Sequence, residues 1–202
     1  MDFSYPYPGS SDEKLVWQRF LAGQPEAFEK LMSTHFRSLF QYGSKFSKDK
    51  EFVKDSIQDL FLILWEKREN LSSDIVVKSY LMASLRRLMH RSTTTRSRLF
   101  DNASPEDEGV FEIEFSVEEH YIESESAFML TEKVRKMLSE LPRRQKEVVY
   151  LKFFQDLDRN QISEVMEVSP QTVSNLLQIA IKQLRTYWKA EFLILLTIHL
   201  FI

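Results

Sequence analysis

Nearly every apolar stretch of this chain spaces its hydrophobic residues three or four apart, and no long run alternates Val, Ile and Thr with polar residues. A three-to-four spacing lays side chains along one stripe of an α-helix, whereas alternation would line one face of a strand. The chain is therefore expected to be all-α. Its 4 glycines agree with that reading, and hydrophobic residues at 43% of 202 are enough to bury real cores.

Three stripes open the chain. Phe28, Leu31, Met32, His35, Leu39, Tyr42 and Phe46 form the first, behind Pro25, which suits a first helical turn. A second helix is expected over about residues 51–70, with Val53, Ile57, Leu60, Phe61 and Leu64 inward. A third follows over about residues 76–90, on Val77, Tyr80, Leu81, Leu85 and Leu88. Together they make one helical domain, residues 15–100, behind a polar tail of residues 1–14. That polar start does not resemble a signal peptide, and the absence of cysteine excludes a disulfide scaffold and a thiol nucleophile. A cytoplasmic protein is expected.

The net charge of −3 averages over two opposed blocks. Between residues 78 and 98 the charged side chains are Lys78, Arg86, Arg87, Arg91, Arg96 and Arg98, with no acid among them. Across residues 101–125 the charged side chains, from Asp101 and Glu106 to Glu123 and Glu125, are all acidic. Adjacent blocks of like charge imply separate surfaces with separate jobs. The acidic block also carries Pro105 and Gly109 and has no periodicity, so residues 101–125 are expected to be a mobile linker. Helical spacing resumes on Leu130, Val134, Met137, Leu138 and Leu141. Pro142 then starts a helix carrying Val148, Val149, Leu151 and Phe154, within a second domain of residues 126–190.

Residues 158–188 hold the clearest local pattern. Asp158 with Gln161 makes a capping box for a short helix that buries Ile162, Val165 and Met166. After a turn of Glu167 and Val168, Ser169 is an N-cap and Pro170 a first helical residue. The next helix turns Val173, Leu176, Leu177, Ala180, Ile181 and Leu184 inward. Its other face is Gln171, Thr172, Ser174, Asn175 and Gln178, then Lys182 and Arg185. Helix, turn and helix in this order present the first turns of the second helix to base edges in a major groove. Asn and Gln pair bidentately with adenine, while Lys and Arg hold phosphates.

No enzyme is indicated. His35, His90, His120 and His199 have no metal-ligand spacing, no glycine-rich phosphate loop occurs, and the acids fall on the linker or on solvated helix faces. No cofactor is expected, and His35 is expected to be a satisfied core residue. The helix from residue 51 carries a less ordinary stripe. Asp55, Gln58, Asp59, Leu62 and Glu66 share one face, with Trp65 alongside, which suits protein docking.

Those residues also carry a resemblance. The run from Asp55 through Gln58, Asp59, Phe61 and Trp65 resembles the core-binding helix in region two of extracytoplasmic-function sigma factors, a subfamily of the sigma-70 family. Leu141, Pro142, Gln145, Lys146, Glu147 and Val148, leading into the helix-turn-helix, are similar to the start of region four. The resemblance implies two small helical domains joined by the acidic linker. It implies a subunit that binds core RNA polymerase through Asp55, Gln58, Asp59, Phe61, Leu62, Trp65 and Glu66, on a coiled coil of the largest subunit. Arg86, Arg87, His90, Arg91 and Arg96 would meet the minus-10 promoter element. Gln171, Thr172, Ser174, Asn175, Gln178, Lys182 and Arg185 would meet the minus-35 element, with region four touching the flap of the second-largest subunit. An anti-sigma factor is a further partner the resemblance admits. The chain departs from the family at Arg87, where Asn is usual, at the run from Ser92 to Arg96, and at Glu167, where Gly is usual. An autonomous helix-turn-helix regulator, binding operator DNA as a dimer, is the competing reading. The apolar tail of residues 191–202 would span roughly 17 Å as a helix, too short to insert across a bilayer of about 30 Å. It is expected to pack back on the second domain.

Overall fold

The computed structural model describes residues 10–99, 111–113 and 125–201, and side chains for residues 12–92, 111–113 and 132–186. Residues 1–9 of the expected N-terminal tail, linker residues 100–110 and 114–124, and the side chains of Arg96 and of the apolar tail lie outside the described residues. Every described secondary-structure element is helical, and the chain divides into two compact units, Met1–Gly109 and Val110–Ile202.

The first unit holds α1 (Ser10–Leu21), α2 (Pro25–Gly43), α3 (Lys50–Lys67), a 3-10 turn at Arg68–Asn70 and α4 (Val77–Leu99). The expected stripes make its core: Leu31, Leu39, Tyr42, Val53, Ile57, Leu60, Phe61, Leu64, Leu81 and Leu85 are all buried. Each such side chain stabilises the fold by about 1.5–3 kcal/mol relative to an exposed position. Helix α1 was not legible as a helix, because one buried turn carries its packing: Trp17 and Phe20 are buried, and Trp17 Nε1 donates to Ser72 O at 3.0 Å. His35 is buried, with Nε2 3.1 Å from Glu13 Oε1 of α1. That close approach makes no aligned hydrogen bond. Asp49 caps α3 by accepting from the backbone N–H of Glu51 and Phe52, both at 3.1 Å. The close crossing of α2 and α3 uses Gly43, where a Cβ would stand 2.7 Å from Val53 Cγ1. Helix α4 runs on past residue 90, where the expected stripe ended, because nothing between Arg91 and Leu99 breaks a helix.

The second unit holds α5 (Glu125–Ser139), α6 (Arg143–Phe153), α7 (Arg159–Met166) and α8 (Pro170–Phe201). Leu141, Val148, Val149, Leu151, Ile162, Val165, Met166, Val173 and Ala180 are buried between them. Two expectations are corrected. Phe154 is not inward but 44% exposed, stacked on Tyr150 at 5.4 Å, because α6 ends at Phe153 and the chain turns there. The acidic segment contains a docked residue: Phe111 is buried edge-on to Tyr150 at 5.9 Å, and Gln155 Nε2 donates to Tyr150 Oη at 2.9 Å beside it. A large aromatic ring in a polar run gains more from burial than its neighbours lose in freedom. Helix α8 continues without a turn to Phe201, so the tail is the end of a single 32-residue helix. No described helix is long and apolar enough to cross a membrane.

Candidate functional site

The helix-turn-helix is built from caps. Asp158 accepts from Asn160 N at 2.7 Å and from Gln161 N at 2.9 Å, and Gln161 Oε1 accepts from Asp158 N at 2.8 Å, completing the expected box. Helix α7 ends in a Schellman turn. The Glu167 N–H is directed at Glu164 O, and Val168 N donates to Ser163 O at 3.1 Å. Glu167 sits there at φ 55° and ψ 46°, the left-handed region in which glycine is the usual residue. Ser169 Oγ accepts from Thr172 N at 3.1 Å, and Pro170 is the first residue of α8.

These caps aim the first turns of α8. Gln171, Asn175, Gln178, Lys182 and Arg185 are exposed, while Thr172 and Ser174 are half-buried. Gln171 Nε2 donates to Asn175 Oδ1 at 3.0 Å, which orients the two amides together on one face. Thr172 and Ser174 are partly spent locally: Thr172 Oγ1 lies 2.9 Å from Ser169 Oγ, and Ser174 Oγ donates to Pro170 O at 3.2 Å. The exposed Gln–Asn set is the part chemically suited to base edges, and the two cations one turn on are suited to phosphate.

Beside α8 the second unit has an apolar groove of about 380 Å³, lined by Met137, Leu138, Val149, Phe153, Phe154 and Leu184 among others. Phe153 is 62% exposed. Sequence periodicity could not find this groove, because it lies where three helices diverge.

On α3 the expected stripe comes together. Asp55, Gln58, Asp59, Leu62 and Glu66 are all exposed, Leu62 by 57%, and Ile63 adds apolar surface that the sequence reading missed. Phe61 is off this face: it is 2% exposed and packs edge-on to Phe28 at 6.0 Å. Trp65 is half-buried, against Phe28 at 5.2 Å and Phe20 at 6.0 Å.

On α4, Arg87 and Arg91 are exposed and one turn apart, whereas Arg86 and His90 are half-buried. His90 packs edge-on to Phe46 at 5.7 Å, and Arg87 Nη2 donates to Ser84 Oγ at 3.0 Å. Tyr80 is a packing residue, edge-on to Trp17 at 6.0 Å. Arg96 continues the same helix, its side chain outside the described ones.

The first unit thus carries an exposed acidic stripe on α3 and a basic ridge on α4, and the second carries a helix-turn-helix. Residues 131–184 match the family described as Sigma-70, region 4. A comparison with curated proteins gives no match. Among solved structures the chain is similar to CnrH, determined in complex with the cytosolic domain of CnrY, with 17% identity and a TM-score of 0.58 over 88% of this chain and 97% of that one. It is similar also to the sigma factor RpoE of Bartonella quintana, determined with the anti-sigma factor NepR, with 16% identity and a TM-score of 0.58 over 80% of this chain and 96% of that one. At that identity the likeness is one of fold, and the family match is confined to residues 131–184. Residues 131–184 therefore match region 4 of the Sigma-70 family, and the chain has the fold of these two proteins.

Proposed function

We propose that this chain is a sigma factor that docks on core RNA polymerase through the exposed stripe of α3 and directs initiation by reading a promoter with both units. The observation that carries the docking role is the exposure of Asp55, Gln58, Asp59, Leu62 and Glu66 together on one helix whose opposite face is fully buried. Acids around an apolar centre suit a basic partner that also buries a side chain, the arrangement offered by a charged coiled coil. The region 4 match together with the fold favours this reading over an autonomous dimeric regulator.

Each surface then has a role. Arg87 and Arg91, flanked by Arg86 and continued along α4 toward Arg96, hold the backbone of the minus-10 strand by charge. Gln171, Asn175 and Gln178 read the minus-35 duplex, and Lys182 and Arg185 add salt-sensitive affinity. The apolar groove with Phe153 at its rim receives the flap of the second-largest subunit. An anti-sigma factor is a partner by analogy with RpoE of Bartonella quintana, determined in complex with the anti-sigma factor NepR. The protein does no chemistry of its own, and it works where core polymerase works, in the cytoplasm.

The test is co-elution of the full chain with core polymerase on a sizing column, using Asp59→Arg as the comparison. Wild type is expected to co-elute and the charge reversal to run free while keeping its helical content. Folded wild-type protein that never co-elutes would overturn the proposal.

A further inference from the structure

The residue that caps the end of helix α3 performs three tasks with one side chain. Arg68 follows the last residue of α3 and keeps right-handed helical geometry, at φ −51° and ψ −35°. Its Nη1 donates to Trp65 O at 2.7 Å, satisfying one of the carbonyls that the end of a helix leaves unpaired. Its positive charge also stands at the negative end of the helix dipole. The guanidinium carbon lies 4.7 Å from the centre of the Trp65 ring, within cation–π range. Against the same group lies the turn between α1 and α2. Gly23, at φ +78°, has no Cβ there, and one would stand 3.3 Å from Arg68 Nε. The remaining ion pair is minor, since Glu69 Oε1 is 3.7 Å from Nη2 on a side chain 80% exposed.

The Trp65 indole is thus held by Phe20 of α1, Phe28 of α2 and the Arg68 guanidinium. Trp65 stands one turn beyond Leu62 and next to Glu66, at the end of the exposed stripe. We propose that Arg68 is a positioning residue for polymerase docking: its planar guanidinium, lying between the Gly23 turn and the Trp65 ring, sets the pose in which Trp65 meets the polymerase. The inference rests on the reading of α3 as the docking face. Lysine cannot replace arginine here, because an ammonium has no flat face and cannot cap the helix while stacking on the ring. A pre-set ring spares the complex the cost of immobilising it on binding.

The experiment compares full-length wild type, Arg68→Lys, Arg68→Ala and Asp59→Arg, labelled with 5-fluorotryptophan. Affinity for core polymerase is measured by competition, the Trp65 pose by its fluorine resonance (assigned with Trp65→Phe), and folding by melting temperature. Arg68→Lys is expected to move the Trp65 resonance and to weaken core binding about fivefold, equivalent to roughly 1 kcal/mol. Its melting temperature should change little, because the buried core is untouched. Arg68→Lys binding core as wild type does would overturn the proposal. So would weaker binding with an unmoved Trp65 resonance, which would make Arg68 a direct contact instead. Because Arg68→Ala also removes the cap of α3, the lysine variant is the deciding one. Undiminished binding by Asp59→Arg would sink the docking reading itself, whatever Arg68 does.

Discussion

Replacing Glu167 should separate backbone strain from side-chain contacts in the turn of the helix-turn-helix. Glu167 lies at φ 55° and ψ 46°, closing a Schellman turn through its own N–H and that of Val168. For a residue with a Cβ, this left-handed geometry costs about 1–2 kcal/mol, whereas glycine occupies it without a steric penalty. Both Glu167→Ala and Glu167→Gly remove the carboxylate and whatever it contacts, so the difference between them isolates the strain. Glycine's greater freedom in the unfolded chain takes back roughly 0.5–1 kcal/mol, leaving glycine ahead of alanine by about 1 kcal/mol. In a domain of this size that is about 4–8 °C in melting temperature. The assay is scanning calorimetry of the full chain. The transition of the second unit would be identified by its upward shift when duplex DNA is added, since a ligand stabilises the state that binds it. Alanine matching or exceeding glycine would refute the reasoning, showing that the turn tolerates a Cβ and that Glu167 costs nothing.

Two further outcomes follow from other parts of the fold. Gly43→Ala would place a methyl 2.7 Å from Val53 Cγ1 and 3.4 Å from Met89 Sδ. It should destabilise the first unit by about 1–3 kcal/mol in urea denaturation, and an unchanged midpoint would show that α2 and α3 can separate freely. On promoter DNA bound by the holoenzyme, Lys182→Ala should lower the log–log salt slope by about 1 with base preference intact. Asn175→Ala should instead relax minus-35 discrimination by about 1–3 kcal/mol with the slope unchanged. Anisotropy titrations over a range of salt would show both effects, and the two variants behaving alike would contradict the assignment.

The exposed stripe of α3 and the polar face of α8 were legible in the sequence for the same reason. Both depend on side chains a few residues apart on one helix, and helical geometry alone places Asp55, Gln58, Asp59, Leu62 and Glu66, or Gln171, Asn175 and Gln178, on a common face. The caps at Asp158 and Ser169 were equally legible, since a cap is formed within three residues. The left-handed turn at Glu167 was implied only by the resemblance, in which Gly is usual at that position. Phe61 shows where this reasoning stops. It shares the motif with Asp59 and Leu62, yet it is the partner of Phe28 in the core, and its exposure depends on which helices pack around α3.

Sequence alone therefore determined the helices from α2 onward, the caps at Asp158 and Ser169 and the polar faces the helices carry, because these arise from interactions within a few residues. Only the tertiary structure decided that Trp17 and Phe20 anchor α1, that Phe111 docks on Tyr150, that Phe153 and Phe154 open a groove, and that Arg68 lies between Gly23 and Trp65. Each of those outcomes joins residues distant in sequence. The free energy that selects them is burial shared between helices, a quantity that no local pattern of residues contains.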